Sequence, residues 1–137
     1  MNVFDLIRRH ERYRQFAYKD TAGKVTIGFG RNLDDHGVPK EEALIFLTSD
    51  VAVIRRRLST AYPWFKDLSD ARKAAIIDMV YNLGVQGFSE FKILILALSR
   101  REYETAASAM LASKWAGQVG RRALELSDMI RTDAYPA

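Results

Sequence analysis

The chain has 137 residues, enough for one domain or for two lobes sharing a core. With no cysteine and two histidines, disulfides and thiolate metal sites are excluded, and a histidine-rich metal site is not expected. The net charge of +4 is small and dispersed, and its one run, Arg55-Arg56-Arg57, fits the solvated side of a helix better than a nucleic-acid patch.

The first predicted element is a short amphipathic helix, with Val3, Phe4 and Ile7 on its apolar side and Glu11 where it stops. Phe16-Ala17-Tyr18 reads as a strand, Asp20-Thr21-Ala22-Gly23 as a turn, and Val25-Thr26-Ile27-Gly28-Phe29 as the returning strand. Residues 31–39, rich in Asp, Asn, Gly and Pro, read as a loop or irregular hairpin. From Pro39 to about Leu58, Leu44, Leu47, Val51, Ile54 and Leu58 recur at helical spacing. They predict a rod of roughly 30 Å. Tyr62-Pro63-Trp64-Phe65 interrupts it, and its aromatics fit core contacts better than sugar platforms.

A helix is then expected from Ser69 or Asp70 to Gly84, with Ala75, Ile76, Met79, Val80 and Leu83 as its stripe. That uninterrupted stripe makes it the candidate core helix. Residues 84–88 read as a turn, and Ser89 as the cap of a helix through Leu98. The next helix is expected to bury Ala106, Ala107, Met110 and Leu111, and residues 113–117 read as punctuation. A last helix, from about Gly120 to Arg131, is expected to bury Ala123, Leu126, Ser127 and Ile130.

The N-terminus lacks a basic segment followed by an apolar one, so no signal peptide is expected. The most apolar window, Ile93 to Leu98, is far too short to span a bilayer, so no stable membrane association is expected either.

Two carboxylates stand out, one ending a helix and one in a hairpin turn. Cleaving a glycosidic bond needs a protonated acid for the leaving oxygen and a carboxylate on the opposite face. A helix end and a hairpin turn can hold two carboxyls, here Glu11 and Asp20, with a sugar between them, and Thr26 lies on the returning strand where it could face the same space. Spacing alone also fits a solvated helix-end Glu and a turn Asp, and the carboxylates by themselves support only a glycosidase.

The wider stretch resembles the phage-type lysozymes, the endolysins and muramidases of glycoside hydrolase family 24. The matching residues are Glu11, Tyr18-Lys19-Asp20-Thr21-Ala22-Gly23, Thr26-Ile27-Gly28-Phe29-Gly30, the block from Ala74 to Gly84, Ser113-Lys114-Trp115, and Gln118 to Leu124. These blocks fall in order along nearly the whole chain. The resemblance implies an α+β, mainly α, lysozyme-like fold in one domain, residues 1–137. A small β-hairpin lobe (about 12–38) and a linking helix (about 39–59) lead to a helical lobe (about 60–137 plus the N-terminal helix 1–11). The small lobe is expected to be reduced, since larger members carry more chain after Gly30.

The resemblance also implies the chemistry: hydrolysis of the β-1,4 bond between N-acetylmuramic acid and N-acetylglucosamine in peptidoglycan, without cofactor or metal. Glu11 is the expected general acid, Asp20 the ionised base or electrostatic partner, and Thr26 the group that places the water. If a water sits between Asp20 and the sugar, the reaction inverts, with the carboxyls about 6.5–9.5 Å apart.

Gly30, Tyr81, Asn82, Trp115 and Arg122 are the expected substrate-side residues. Gly28 and Gly30 would let backbone approach a sugar, Trp115 would be a cleft-side or supporting aromatic, and Arg122 would orient Glu11. Arg12 and Arg31 depart from the family, which usually has glycine and often histidine there; Arg31 is expected to pair with Asp50. The protein is expected to be a monomer that stays in the cytoplasm until a holin, also implied by the resemblance, releases it. A lytic transglycosylase, a non-catalytic wall-binding relative and a small basic DNA-binding protein are the competing readings. No helix-turn-helix stands out for the last.

Overall fold

A computed structural model describes all of residues 1–137. The fold is α+β and mainly α: eight helices and one three-stranded antiparallel sheet, order β1-β2-β3. The chain divides into two compact units, Met1–Phe46 and Leu47–Ala137. No helix is long and apolar enough to cross a membrane.

The first unit starts with α1 (Val3–Glu11). Asn2 Oδ1 accepts from the Asp5 N–H and the Asp5 carboxylate accepts from the Asn2 N–H, a reciprocal cap that satisfies two backbone donors. The helix ends as its direction changes at Arg12, whose N–H still bonds the Arg8 carbonyl. Strands β1 (Arg14–Lys19), β2 (Val25–Gly28) and β3 (Arg31–Asn32) follow. Thr26 lies opposite Tyr18 on one side and Asn32 on the other, so it occupies the middle of the sheet.

Residues 31–39 are more ordered than a loop: they hold β3 and the one-turn α2 (Leu33–His36). The Asn32 side chain caps that turn at the Asp35 N–H. A four-residue helix is too short to show a periodic pattern. Helix α1 falls in the same unit as the sheet.

The division between the units falls inside α3 (Lys40–Ala61). The predicted stripe of α3 is graded. Leu58 is fully buried, Val51 and Ile54 pack on the core, and Leu44 and Leu47 stay largely exposed. Arg55, Arg56 and Arg57 are all exposed, as a solvated face requires.

The second unit owns the hydrophobic core. A 3-10 turn (Pro63–Asp67) drops Phe65 into it, while Tyr62 packs its ring on Trp64 and Phe88. Helix α4 (Asp70–Ser89) is capped by Ser69 and carries Ala75, Ile76, Met79 and Val80, all buried. Burying each large side chain of this kind contributes roughly 1.5–3 kcal/mol. Gly84, at φ 81° and ψ 160°, breaks the helix where its end was expected, but residues 85–89 resume helical form instead of making a simple turn.

Helices α5 (Lys92–Ser99), α6 (Tyr103–Leu111), α7 (Lys114–Val119) and α8 (Arg121–Thr132) complete the unit. Three expectations change here. Ser89 does not cap α5; its hydroxyl donates to the Gln86 carbonyl and so belongs to the end of α4. Leu111 is partly exposed, whereas Ala106, Ala107 and Met110 are buried. Residues 113–117 are not mere punctuation: Ser113 caps α7 by accepting from the Ala116 N–H. Ala123, Leu126, Ser127 and Ile130 of α8 are buried as expected.

Candidate active site

Glu11 is the last residue of α1, so its carboxyl projects from a helix end. No hydrogen bond or ion pair holds it. It packs instead on the backbone of Gly30, in the turn between β2 and β3. A Cβ added at Gly30 would lie 2.6 Å from Glu11 Cδ, 3.0 Å from Cγ, and nearer still to Oε2.

Asp20 is half-buried in the turn between β1 and β2. Its own N–H bonds the Lys24 carbonyl at 2.9 Å, and its carbonyl accepts from the Gly23 N–H at 3.0 Å. Its Oδ1 accepts from the N–H groups of Ala22 (2.9 Å) and Lys24 (2.8 Å), an Asx turn that fixes the carboxylate. Both donors reach the same oxygen, so Oδ2 is left for other work.

Thr26 is buried, and its hydroxyl donates to the Lys24 carbonyl at 3.0 Å. Lys24 therefore bridges the two through its backbone, its N–H on Asp20 and its carbonyl on Thr26. Around this turn, Asp34 accepts from the Val25 N–H at 2.8 Å, and Lys24 Nζ bonds Asp35 at 3.0 Å. That hydrogen bond holds the Lys24 ammonium above its ordinary pKa and the Asp35 carboxyl below its own.

The four remaining candidates lie on the helical unit and fall into two pairs. Tyr81, half exposed, and Arg122 line one groove of about 370 Å³ with Leu47, Val51, Ile77 and Asp78. Arg122, expected to orient Glu11, is engaged by Asp78: Nε donates to the carboxylate at 2.7 Å and NH2 to the backbone carbonyl at 3.3 Å. Asp78 is the partner that sequence reading missed, although it lies within the matching block of α4.

Asn82 and Trp115 form the second pair, with the indole N–H donating to Asn82 Oδ1 at 2.8 Å. Trp115 is 4% exposed and set edge-on against Phe91, so it offers no face to a ligand. Of its two expected roles, support is the one its burial fits. Asn82 is exposed, and with its oxygen occupied it presents its NH2 as a donor.

Arg31, expected to pair with Asp50, is taken up within its own unit. Its Nε and NH2 donate to the Gly37 carbonyl at 3.2 and 3.0 Å, and NH2 also reaches the His36 carbonyl. The guanidinium thus closes the loop after α2. Three backbone-directed hydrogen bonds within six residues are a local solution that a charge-pairing argument does not see.

A family model described as phage lysozyme matches residues 8–128. The chain is 27% identical over 165 residues to the probable T4-type lysozyme 1 of Dictyostelium discoideum, a match covering 99% of this chain and 97% of that protein. It is 31% identical over 114 residues to an endolysin of Acyrthosiphon pisum secondary endosymbiont phage 1, covering 80% of this chain and 74% of the endolysin. Its 24% identity to the pre-baseplate central spike protein of Enterobacteria phage T4 covers 96% of this chain but 28% of that longer protein. With the matched segment running from α1 into α8 and carrying Glu11, Asp20 and Thr26, the chain belongs to the phage lysozyme family and is a glycoside hydrolase of the lysozyme type.

Proposed function

We propose that this enzyme is a muramidase that cuts the β-1,4 bond between N-acetylmuramic acid and N-acetylglucosamine in bacterial peptidoglycan, with inversion at the anomeric carbon. Glu11 acts as the general acid that protonates the leaving oxygen. Asp20, through Oδ2, acts as the base for a water that the Thr26 hydroxyl helps to place: the hydroxyl donates its hydrogen bond to the Lys24 carbonyl and keeps lone pairs to accept from water.

The observation that carries the reading is the unlike settings of the two carboxyls. Glu11 lies exposed against the bare backbone of Gly30 with no hydrogen-bond donor from the protein, while Asp20 is half-buried and locked by two N–H groups at one oxygen with the other left over. Tyr81, Asn82 and Arg122 serve glycan binding, with Trp115 behind Asn82. The enzyme works as a monomer without cofactor or metal, is made in the cytoplasm, and reaches the wall for host cell lysis when a holin releases it.

The test is turbidity clearing of purified murein by wild type and Glu11→Gln. A general acid contributes roughly 10²–10⁴-fold, so clearing by Glu11→Gln is expected to fall at least 100-fold with the circular dichroism spectrum unchanged. Equal clearing would remove Glu11 from the mechanism.

A further inference from the structure

The contact between Glu11 and Gly30 reaches beyond the substrate-side role first expected of Gly30. The carboxyl of Glu11 occupies the space that any side chain at position 30 would need. Gly30 also stands at φ +75°, a conformation that glycine adopts without steric cost. Glu11 is exposed and no hydrogen bond or ion pair within the protein holds it, so its contact with this bare backbone is the restraint the structure gives its carboxyl. The overlap falls on the far end of a flexible side chain, not on backbone. An added methyl is therefore relieved by moving Glu11 off the Gly30 backbone, at the cost of that contact, and the fold is left standing.

We propose that Gly30 is a positioning residue for Glu11: the absent side chain makes the seat in which the carboxyl of the proton donor is held. This rests on the reading of Glu11 as the general acid. Displacing a catalytic group by about 1 Å can cost on the order of 100-fold in rate. The consequence belongs to the chemical step, not to substrate binding.

The test compares Gly30→Ala with Gly37→Ala on soluble murein oligomers. Gly37 has φ +58° and nothing within 4 Å of its absent Cβ, so Gly37→Ala reproduces the backbone strain without touching Glu11. For Gly30→Ala, kcat is expected to fall at least tenfold, with KM within about threefold of wild type and a displaced pH–rate profile. Gly37→Ala is expected to keep the wild-type profile. A raised KM at unchanged kcat would make Gly30 a substrate contact and overturn the proposal, as would an equal loss of kcat in Gly37→Ala.

A second measurement is independent of activity: a urea-denaturation cycle of Gly30→Ala in the wild-type and Glu11→Ala backgrounds. Shortening Glu11 removes the overlap, so Gly30→Ala is expected to lower the midpoint less in the Glu11→Ala background. Equal losses in both backgrounds would refute the packing. If Glu11→Gln clears murein as wild type does, the general-acid reading and this proposal fall together. The coupling then reports side-chain packing only.

Discussion

Arg12 carries a long side chain at φ 59° and ψ 151°, where glycine is the residue without steric cost. Strain of this kind costs about 1–3 kcal/mol. Replacement by glycine loses part of that gain to greater freedom in the unfolded chain, roughly 0.5–1 kcal/mol. Arg12→Gly is therefore expected to stabilise the protein by about 1 kcal/mol, read as a raised urea midpoint; a lowered midpoint would show that the arginine makes a compensating contact. At Asp20, structure and chemistry separate cleanly. Asp20→Asn keeps an oxygen for the Ala22 and Lys24 N–H groups, so its midpoint is expected to stay near wild type while murein clearing falls about 100-fold. Asp20→Ala removes the acceptor of both donors and leaves the partly buried Lys24 N–H unpaired, so it is expected to lose about 1 kcal/mol as well. Full activity in Asp20→Asn would show that the charge is not needed. At this scale the placing of Glu11 at a helix end and of Asp20 in a turn was legible, because each leaves a local signature, while the blocks around them singled them out as a pair. Thr26 was not legible from its own type, since a strand threonine is common; the blocks around it drew attention to it. The partners of the candidates were hidden: Asn82 meets Trp115, and Arg122 meets Asp78, only through tertiary packing.

Arg72, on α4, ties that helix to two others. Its Nε donates to the Ile130 carbonyl of α8 at 2.7 Å, and its guanidinium lies over the Tyr103 ring of α6 at 3.6 Å from the centroid. Asp133, just past α8, is 3.7 Å away and is itself bonded by Ser69, the cap of α4. Arg72→Ala is expected to cost about 2–3 kcal/mol, from a half-buried carbonyl left without its donor and a lost ring contact. Arg72→Lys is expected to recover only part of it, because an ammonium cannot stack its plane on a ring while donating sideways. Denaturation midpoints of the two variants check this, and full recovery by lysine would reduce the tie to charge alone. The long helices α3 and α4 were legible because five apolar residues at helical spacing leave little else possible. Helices α2 and α7, of four and six residues, are shorter than two turns and leave no period to read. Their caps, Asn32 and Ser113, were the available signals. The Ser89 cap was misjudged because its hydroxyl serves the preceding turn, a choice set by geometry and not by residue type.

Over the whole molecule, stability and chemistry are unevenly distributed. The apolar core lies in residues 47–137, whereas Met1–Phe46 buries a single side chain, that of Thr26, and holds its shape by caps, strand pairing and side-chain hydrogen bonds. The three candidate catalytic groups are all in that hydrogen-bonded part. Family and fold class were legible because matching blocks run along nearly the full chain. The central claim is hydrolysis of a glycosidic bond by unlike carboxyls, and the products report it directly. Mass spectrometry of purified murein digested by wild type is expected to show new reducing N-acetylmuramic acid ends. Digests that gain only 1,6-anhydromuramic ends, or no new glycan ends at all, would contradict it.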